Sequence, residues 1–125
     1  MGRKILVVDD NAASRAILKA IILNIMPQTI ILEAADGQRA LEIVHQENPD
    51  LVFLDIIMSE MDGYEVCQKI KADPACQHIP VLIMTALHKE SEKKAGMDAG
   101  ASDYIEKPFT RDRIIGAIQK VFGQE

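Results

Sequence analysis

Residues 51–55 read LVFLD, four apolar residues in succession closed by an aspartate. A strand with one wet face alternates apolar and polar residues. An unbroken apolar run is what a strand carries when both faces of its sheet are covered. Four other runs are of the same kind: KILVVD at 4–9, TIILEA at 29–34, PVLIMT at 80–85 and DYIEK at 103–107. They are short, rich in β-branched residues and mostly continuous, so five buried parallel strands are expected.

Helical patterns lie between them. Ile17, Leu18, Ile21, Ile22 and Ile25 recur at helical spacing, with Pro27 just past the end. Ala40, Leu41 and Val44 mark a second helix between the turn signals ADG and NPD; Val66 and Ile70 mark a third between MDG and DP. The fourth, roughly Lys89 to Ala99, is highly charged and places Glu90 and Lys94 at a favourable i,i+4 spacing. The last, Arg111 to Phe122, carries Ile114, Ile115, Ile118, Val121 and Phe122 as an apolar stripe, with Thr110 as its expected N-cap. Strand–helix alternation repeated about five times implies a parallel sheet with right-handed crossovers and helices on both faces. The expected class is α/β: a doubly wound parallel sheet in a three-layer sandwich. Residues 1–125 read as one domain, with no linker, low-complexity stretch or second domain in view.

Composition narrows the function. The chain has 14 basic and 19 acidic residues, a net charge of −5, and only 4% aromatic residues. That is a poor electrostatic match for nucleic acid, and no basic stripe appears. No apolar run is long enough to span a bilayer and no signal-peptide pattern opens the chain, so a soluble cytoplasmic protein is expected. Cys67 and Cys76 are expected as free thiols. Cys76 and His78 stand close together in DPACQHIP, but a zinc site needs about four ligands and no further Cys or His is near in sequence, so no metal is expected there.

In open parallel sheets the site lies beyond the carboxyl ends of the strands. The first run ends in Asp9 and Asp10, the third in Asp55, the fourth in Thr85 and Ala86, and the fifth in Lys107 and Pro108. The second ends in Glu33, on a strand expected to lie outermost and away from the pocket. Singly, each residue has a plain reading. Asp10 or Asn11 could cap the next helix, a threonine at a strand end is commonplace, and a loop lysine is usually solvated. Together, three carboxylates, a hydroxyl and a lysine would meet in one small volume. Such a set suits Mg²⁺, which takes one or two carboxylates plus phosphate oxygens and keeps several waters. Asp55, alone at the central strand end and leading into the loop IIMSEMDG, is the best placed to act as a nucleophile and form an acyl phosphate.

The stretches ILVVDDN, DGQRALE, PDLVFLDIIMSEMDGYEV, IPVLIMTA and AGASDYIEKPF, in this order and spacing, closely resemble the receiver domain of two-component response regulators, single-domain chemotaxis-type regulators included. The likeness extends over essentially the whole chain. It implies the flavodoxin-like (βα)5 fold with strand order 2-1-3-4-5 and no output domain. It further implies that Asp55 accepts a phosphoryl group from a histidine kinase or phosphotransfer protein. By the same likeness Asp9 and Asp10 organise Mg²⁺, Asp10 more directly, with the Asp55 carboxylate and the backbone carbonyl of Ile57 completing the protein shell; Mn²⁺ is expected to substitute. Thr85 and Ala86 match the phosphoryl-binding positions, Lys107 the lysine that pairs with the phosphoryl group, and Tyr104 the switch aromatic that turns inward when Thr85 moves. The Lys107–Pro108 bond matches one that is usually cis. The face made by the fourth helix, fifth strand and fifth helix would then change its affinity for a downstream protein, with the chain a monomer or a phosphorylation-linked dimer. Neither nucleic acid nor membrane is an expected partner of this domain.

Two features depart from the pattern or vary within it. Ser59 stands where the family often has proline, which restores an N–H and loosens the loop without removing the chemistry. Ile57 and Leu87 occupy the positions that tune phosphoryl lifetime, and both are apolar here. The rival reading is a haloacid-dehalogenase-like phosphohydrolase, which also uses an aspartyl nucleophile. It needs a second acid two residues on, where this chain has Ile57. Self-phosphorylation and dephosphorylation without multiple turnover is therefore expected.

Overall fold

The computed structural model of the chain describes residues 2–58, 61–86 and 90–123. The element order is β1 (Lys4–Val8), α1 (Ala12–Ile25), β2 (Ile30–Ala34), α2 (Gly37–Glu47), β3 (Leu51–Asp55), α3 (Gly63–Ala72), β4 (Val81–Thr85), α4 (Glu90–Asp98), β5 (Asp103–Glu106) and α5 (Arg111–Phe122). All strand pairs are parallel, in the order β2-β1-β3-β4-β5.

The continuity of LVFLD follows from this arrangement. Successive strand residues point to opposite faces. Val52 and Leu54 enter a core with Leu6, Val8, Val81 and Ile83, covered by Ile43 and Val44 of α2 and Val66 and Ile70 of α3. Leu51 and Phe53 enter the opposite core with Ile5, Val7, Leu82 and Met84, covered by Leu18 and Ile22 of α1 and Ile114 and Ile118 of α5. Neither face can carry a polar residue without stranding it away from water.

Two apolar positions depart from the expected burial. β2 lies outermost, as expected, but is less buried than its apolar run suggests: Ile30 is 49% exposed, and Glu33 lies out at the surface, 3.3 Å from both Arg15 and Lys19. Charge on an outer strand discourages pairing with a foreign strand. In α1, Leu18 and Ile22 are buried but Ile17 is 58% exposed. Ile17, Ile21 and Ile25 form a second helical row; Ile21 and Ile25 pack on the core, whereas Ile17 projects beside the strand ends.

Helix starts are set by side-chain caps. Asn11 accepts from the Ser14 N–H, Asp36 from Arg39, Asp62 from Glu65 and Thr110 from Arg113. Asn48 ends α2 in the left-handed region, with φ of 49°. Within α4, Lys94 pairs with Asp98 at 3.1 Å. Cys67 and Cys76 are both buried free thiols. Among the described residues no helix is long and apolar enough to cross a membrane.

Candidate functional site

Because β1, β3, β4 and β5 run parallel and side by side, their carboxyl ends open on one rim. The residues just beyond those ends share a small volume although they are far apart in the chain. Asp9 is 1% exposed, Asp55 6% and Thr85 0%; Asp10, one residue beyond Asp9, is exposed. Asp9, Asp10 and Asp55 can each offer a carboxylate oxygen such that the three lie within 4.8 Å of one another.

Lys107 reaches into this group from the end of β5. Its Nζ donates to Asp9 Oδ2 at 2.8 Å and to Asp55 Oδ2 at 3.4 Å. The second oxygen of each aspartate is held by backbone two residues on: Asn11 N–H donates to Asp9 Oδ1 at 2.9 Å, and Ile57 N–H donates to Asp55 Oδ1 at 3.1 Å. Arg15 Nη1 donates to the Asp9 carbonyl at 2.6 Å, fixing the backbone from which the acid pair projects. Burial pushes the Asp55 carboxyl above the ordinary aspartate value and the Asp9 charge adds to this, against the Ile57 N–H and Lys107. Burial also works against the Lys107 ammonium, but its hydrogen bond to Asp9 and the charges of Asp55 and Asp9 raise it overall.

One ammonium therefore faces three carboxylates. The donor set is all hard oxygen, two of its members are deeply buried, and the excess charge is negative. These residues fit a small divalent cation such as Mg²⁺.

Behind the rim, the buried Thr85 hydroxyl is hydrogen-bonded to Tyr104, which is 7% exposed. Tyr104 also lies against α4: a Cβ placed on Gly96 would sit 3.6 Å from its Cδ2. The Lys107 N–H donates to the Thr85 carbonyl at 2.7 Å, and the Lys107–Pro108 peptide is cis. Ala86, exposed at the end of β4, lines a cavity of about 420 Å³ with Ser14, Ile17, Lys107, Pro108 and Phe109. Ile57 is 50% exposed at the mouth of the site. Leu87 and Ser59 lie outside the described residues.

Two contributors to the site carry no local signal in the sequence. Gly63 packs against the end of β3 so closely that a Cβ there would stand 2.6 Å from the Asp55 carbonyl oxygen and 2.6 Å from Ile56 Cα. Its neighbour Tyr64 directs its hydroxyl to Glu92, 2.8 Å from both the carbonyl and Oε2, so the segment packed on Asp55 is joined to α4. Glycine before a helix reads as an ordinary turn; only the fold reveals what it lies against.

Comparison with known proteins agrees with this geometry. The family model of the response regulator receiver domain matches residues 5–119. The chain is 40% identical over 118 residues to the probable transcriptional regulator ycf27 of Guillardia theta, covering 94% of this chain and 44% of that protein. It is 40% identical over 109 residues to response regulator PleD of Caulobacter vibrioides, covering 87% of this chain and 24% of PleD. It thus spans less than half the length of either relative. A putative response regulator from Chloroflexus aurantiacus has the same fold, with a TM-score of 0.92 at 27% identity over 99% of this chain and 100% of that one. The receiver domain of sensor histidine kinase PA1611 from Pseudomonas aeruginosa, with a TM-score of 0.89 at 25% identity over 99% and 100% of the two chains, holds a magnesium ion coordinated in its active site cleft. With the match running from β1 into α5 and the strand order shared, this chain belongs to the response regulator receiver domains, a family of signalling switches in two-component systems.

Proposed function

We propose that the protein is the phosphoacceptor switch of a two-component phosphorelay, with Asp55 as the acceptor and a histidine kinase or phosphotransfer protein as the donor. The observation that carries this reading is the convergence of Asp9, Asp10 and Asp55 on one rim with Lys107 bonded to two of them. In the reaction an Asp55 carboxylate oxygen attacks phosphorus as the bond to the donor's histidine nitrogen breaks. Transfer of this kind asks mainly for alignment and charge neutralisation. Lys107, already 3.4 Å from Asp55, is placed to follow the phosphoryl oxygens. Thr85 and the backbone of Ala86 receive the others. Mg²⁺, or Mn²⁺ in its place, held by Asp10, Asp55, the Ile57 carbonyl and, through water, Asp9, supplies further positive charge when bound. The apolar cavity beside Ile17 and Phe109 opens next to the acceptor and supports contact there with the donor protein.

The Thr85–Tyr104–Gly96 contacts supply a route from acceptor to surface. Thr85 drawn toward the phosphoryl group changes what holds the Tyr104 hydroxyl, and Tyr104 packs on α4. The face of α4, β5 and α5 is thereby placed to change its affinity for a downstream protein. A phosphohydrolase is disfavoured because Ile57, two residues after Asp55, has no proton to exchange. The test is incubation with acetyl phosphate and Mg²⁺ followed by intact mass. One added phosphoryl group per chain is expected; no addition, or multiple turnover of a phosphomonoester, would count against the proposal.

Two further outcomes follow from the same site. Mg²⁺ relieves the carboxylate repulsion only in the folded chain, so it raises the melting temperature, by about 2.7 kcal/mol of stability at 100 times its Kd. Asp10→Ala, at an exposed position, should lose that rise; a full Mg²⁺ response in the variant would contradict the ligand assignment. Ile57 stands at the mouth of the site and shields the acyl phosphate from water. Ile57→Asn should accelerate loss of the phosphoryl group several-fold in a decay assay, and an unchanged half-life would remove Ile57 from this role.

A further inference from the structure

A second convergence of ligand atoms lies at the opposite pole of the molecule. α2 and α3 start at the acceptor rim and end at the amino ends of β3 and β4, so His45 near the end of α2 and Asp73 at the end of α3 are remote from Asp55. His45 Nδ1 lies 2.8 Å from the Leu41 carbonyl oxygen. A carbonyl only accepts, so Nδ1 carries the hydrogen, and a neutral ring then presents a lone pair at Nε2. Nε2 points at Asp73 Oδ2, 2.7 Å away. The other oxygen, Oδ1, is held by the Ala75 N–H at 2.9 Å. A proton on Nε2 joins these two groups in the metal-free chain, and a metal cation can take that proton's place. The third member is Cys76, 2% exposed, whose Sγ otherwise has only the Ile70 carbonyl, at 3.4 Å. Ligand atoms of His45, Asp73 and Cys76 all lie within 4.8 Å of one another.

The sequence neighbour His78 takes no part: it lines a different cavity, with Pro80, Ser102 and Lys120. The groups that meet Cys76 come instead from helix ends 28 residues apart.

We propose that His45, Asp73 and Cys76 form a Zn²⁺ site, closed by the chain on three sides and open to water or a partner's side chain on the fourth. Nitrogen, oxygen and sulfur in one set match zinc and exclude Mg²⁺ and Ca²⁺, which avoid thiolate. Both outer ligands are already oriented by a second hydrogen bond, as metal ligands commonly are. On binding, the Cys76 thiol and the His45 Nε2 that faces Asp73 give up their protons to solvent and Zn–S, Zn–N and Zn–O bonds form, tying the end of α2 to the turn between α3 and β4.

The test is a Co²⁺ titration of the full chain in excess Mg²⁺, which occupies the acceptor carboxylates. A thiolate-to-cobalt charge-transfer band saturating at one equivalent and bleached by Zn²⁺ is expected. Cys76→Ser should abolish the band, whereas Cys67→Ser should keep it. His45 is exposed, so His45→Gln leaves the fold and acetyl phosphate labelling of Asp55 intact while weakening affinity by at least about tenfold. Absence of the band in the wild-type chain, its persistence in Cys76→Ser, or equal affinity in His45→Gln would each overturn the site and leave His45 and Asp73 as a surface ion pair.

Discussion

The Asp55→Asn chain, incubated with acetyl phosphate and Mg²⁺, is expected to keep its unmodified mass while the wild-type chain gains one phosphoryl group. Asparagine keeps the shape of the side chain but removes the nucleophilic carboxylate. The neighbouring acids are poorly suited to replace it. Asp9 is 1% exposed, with one oxygen bound by Lys107 at 2.8 Å and the other by the Asn11 N–H. Labelling of the variant to the wild-type extent would refute the acceptor assignment.

A stability measurement separates lost chemistry from lost fold. Burial raises the Asp55 carboxyl above its ordinary value, so between that value and the raised one the folded chain binds more protons than the unfolded chain. Stability then falls as pH rises through this window. Asp55→Asn has no such group. Without metal, its melting temperature should exceed that of the wild type, with the gap opening as pH rises through the window and staying open above it. A variant less stable than wild type at neutral pH would mean that the Asp55–Lys107 pairing outweighs the burial of the charge.

Gly63→Ala is expected to cost about 1–3 kcal/mol of stability, the usual range for overpacking, and to slow phosphorylation as well. The added Cβ would lie 2.6 Å from the Asp55 carbonyl oxygen and 2.6 Å from Ile56 Cα, and both are backbone atoms that no rotamer change can move. The Gly63 N–H is also bonded to the Ile56 carbonyl at 3.1 Å, so relief requires the start of α3 to withdraw from the acceptor strand. Gly116 supplies the control. It lies within α5, where a Cβ would meet nothing within 4 Å. Gly116→Ala should therefore stabilise the chain, by up to about 1 kcal/mol from helix propensity. Urea denaturation of the two variants should give changes of opposite sign; equal tolerance at both positions would show that the close approach at Gly63 has no energetic weight.

What could be read in advance, and what could not, divides along physical lines. Continuity in LVFLD and VLIMT reports burial on two faces, and those strands are fully buried. TIILEA looks similar, yet Ile30 is 49% exposed: its outermost place was foreseen, but an apolar run does not show how much of an edge strand is left uncovered. Helical spacing placed Ile17 with Leu18 and Ile22 but could not tell where the covered stripe ends. The convergence of Asp9, Asp10, Asp55 and Lys107 was legible because parallel strands bring their carboxyl ends together wherever those residues fall in the chain. Contacts between helices have no such rule. The Tyr64–Glu92 and His45–Asp73 hydrogen bonds each span 28 residues and join side chains whose own surroundings in the sequence are unremarked.

Lys107 is bonded across 98 residues to Asp9 and across 52 to Asp55. No fragment of the sheet contains all three groups, so the site does not exist until β1, β3 and β5 have docked. On the function proposed here, phosphorylation would then require the assembled sheet, and a chain in which these strands have not docked would stay unlabelled. A site shared among distant segments is in this sense a quality check: the signal can be written only on a finished copy.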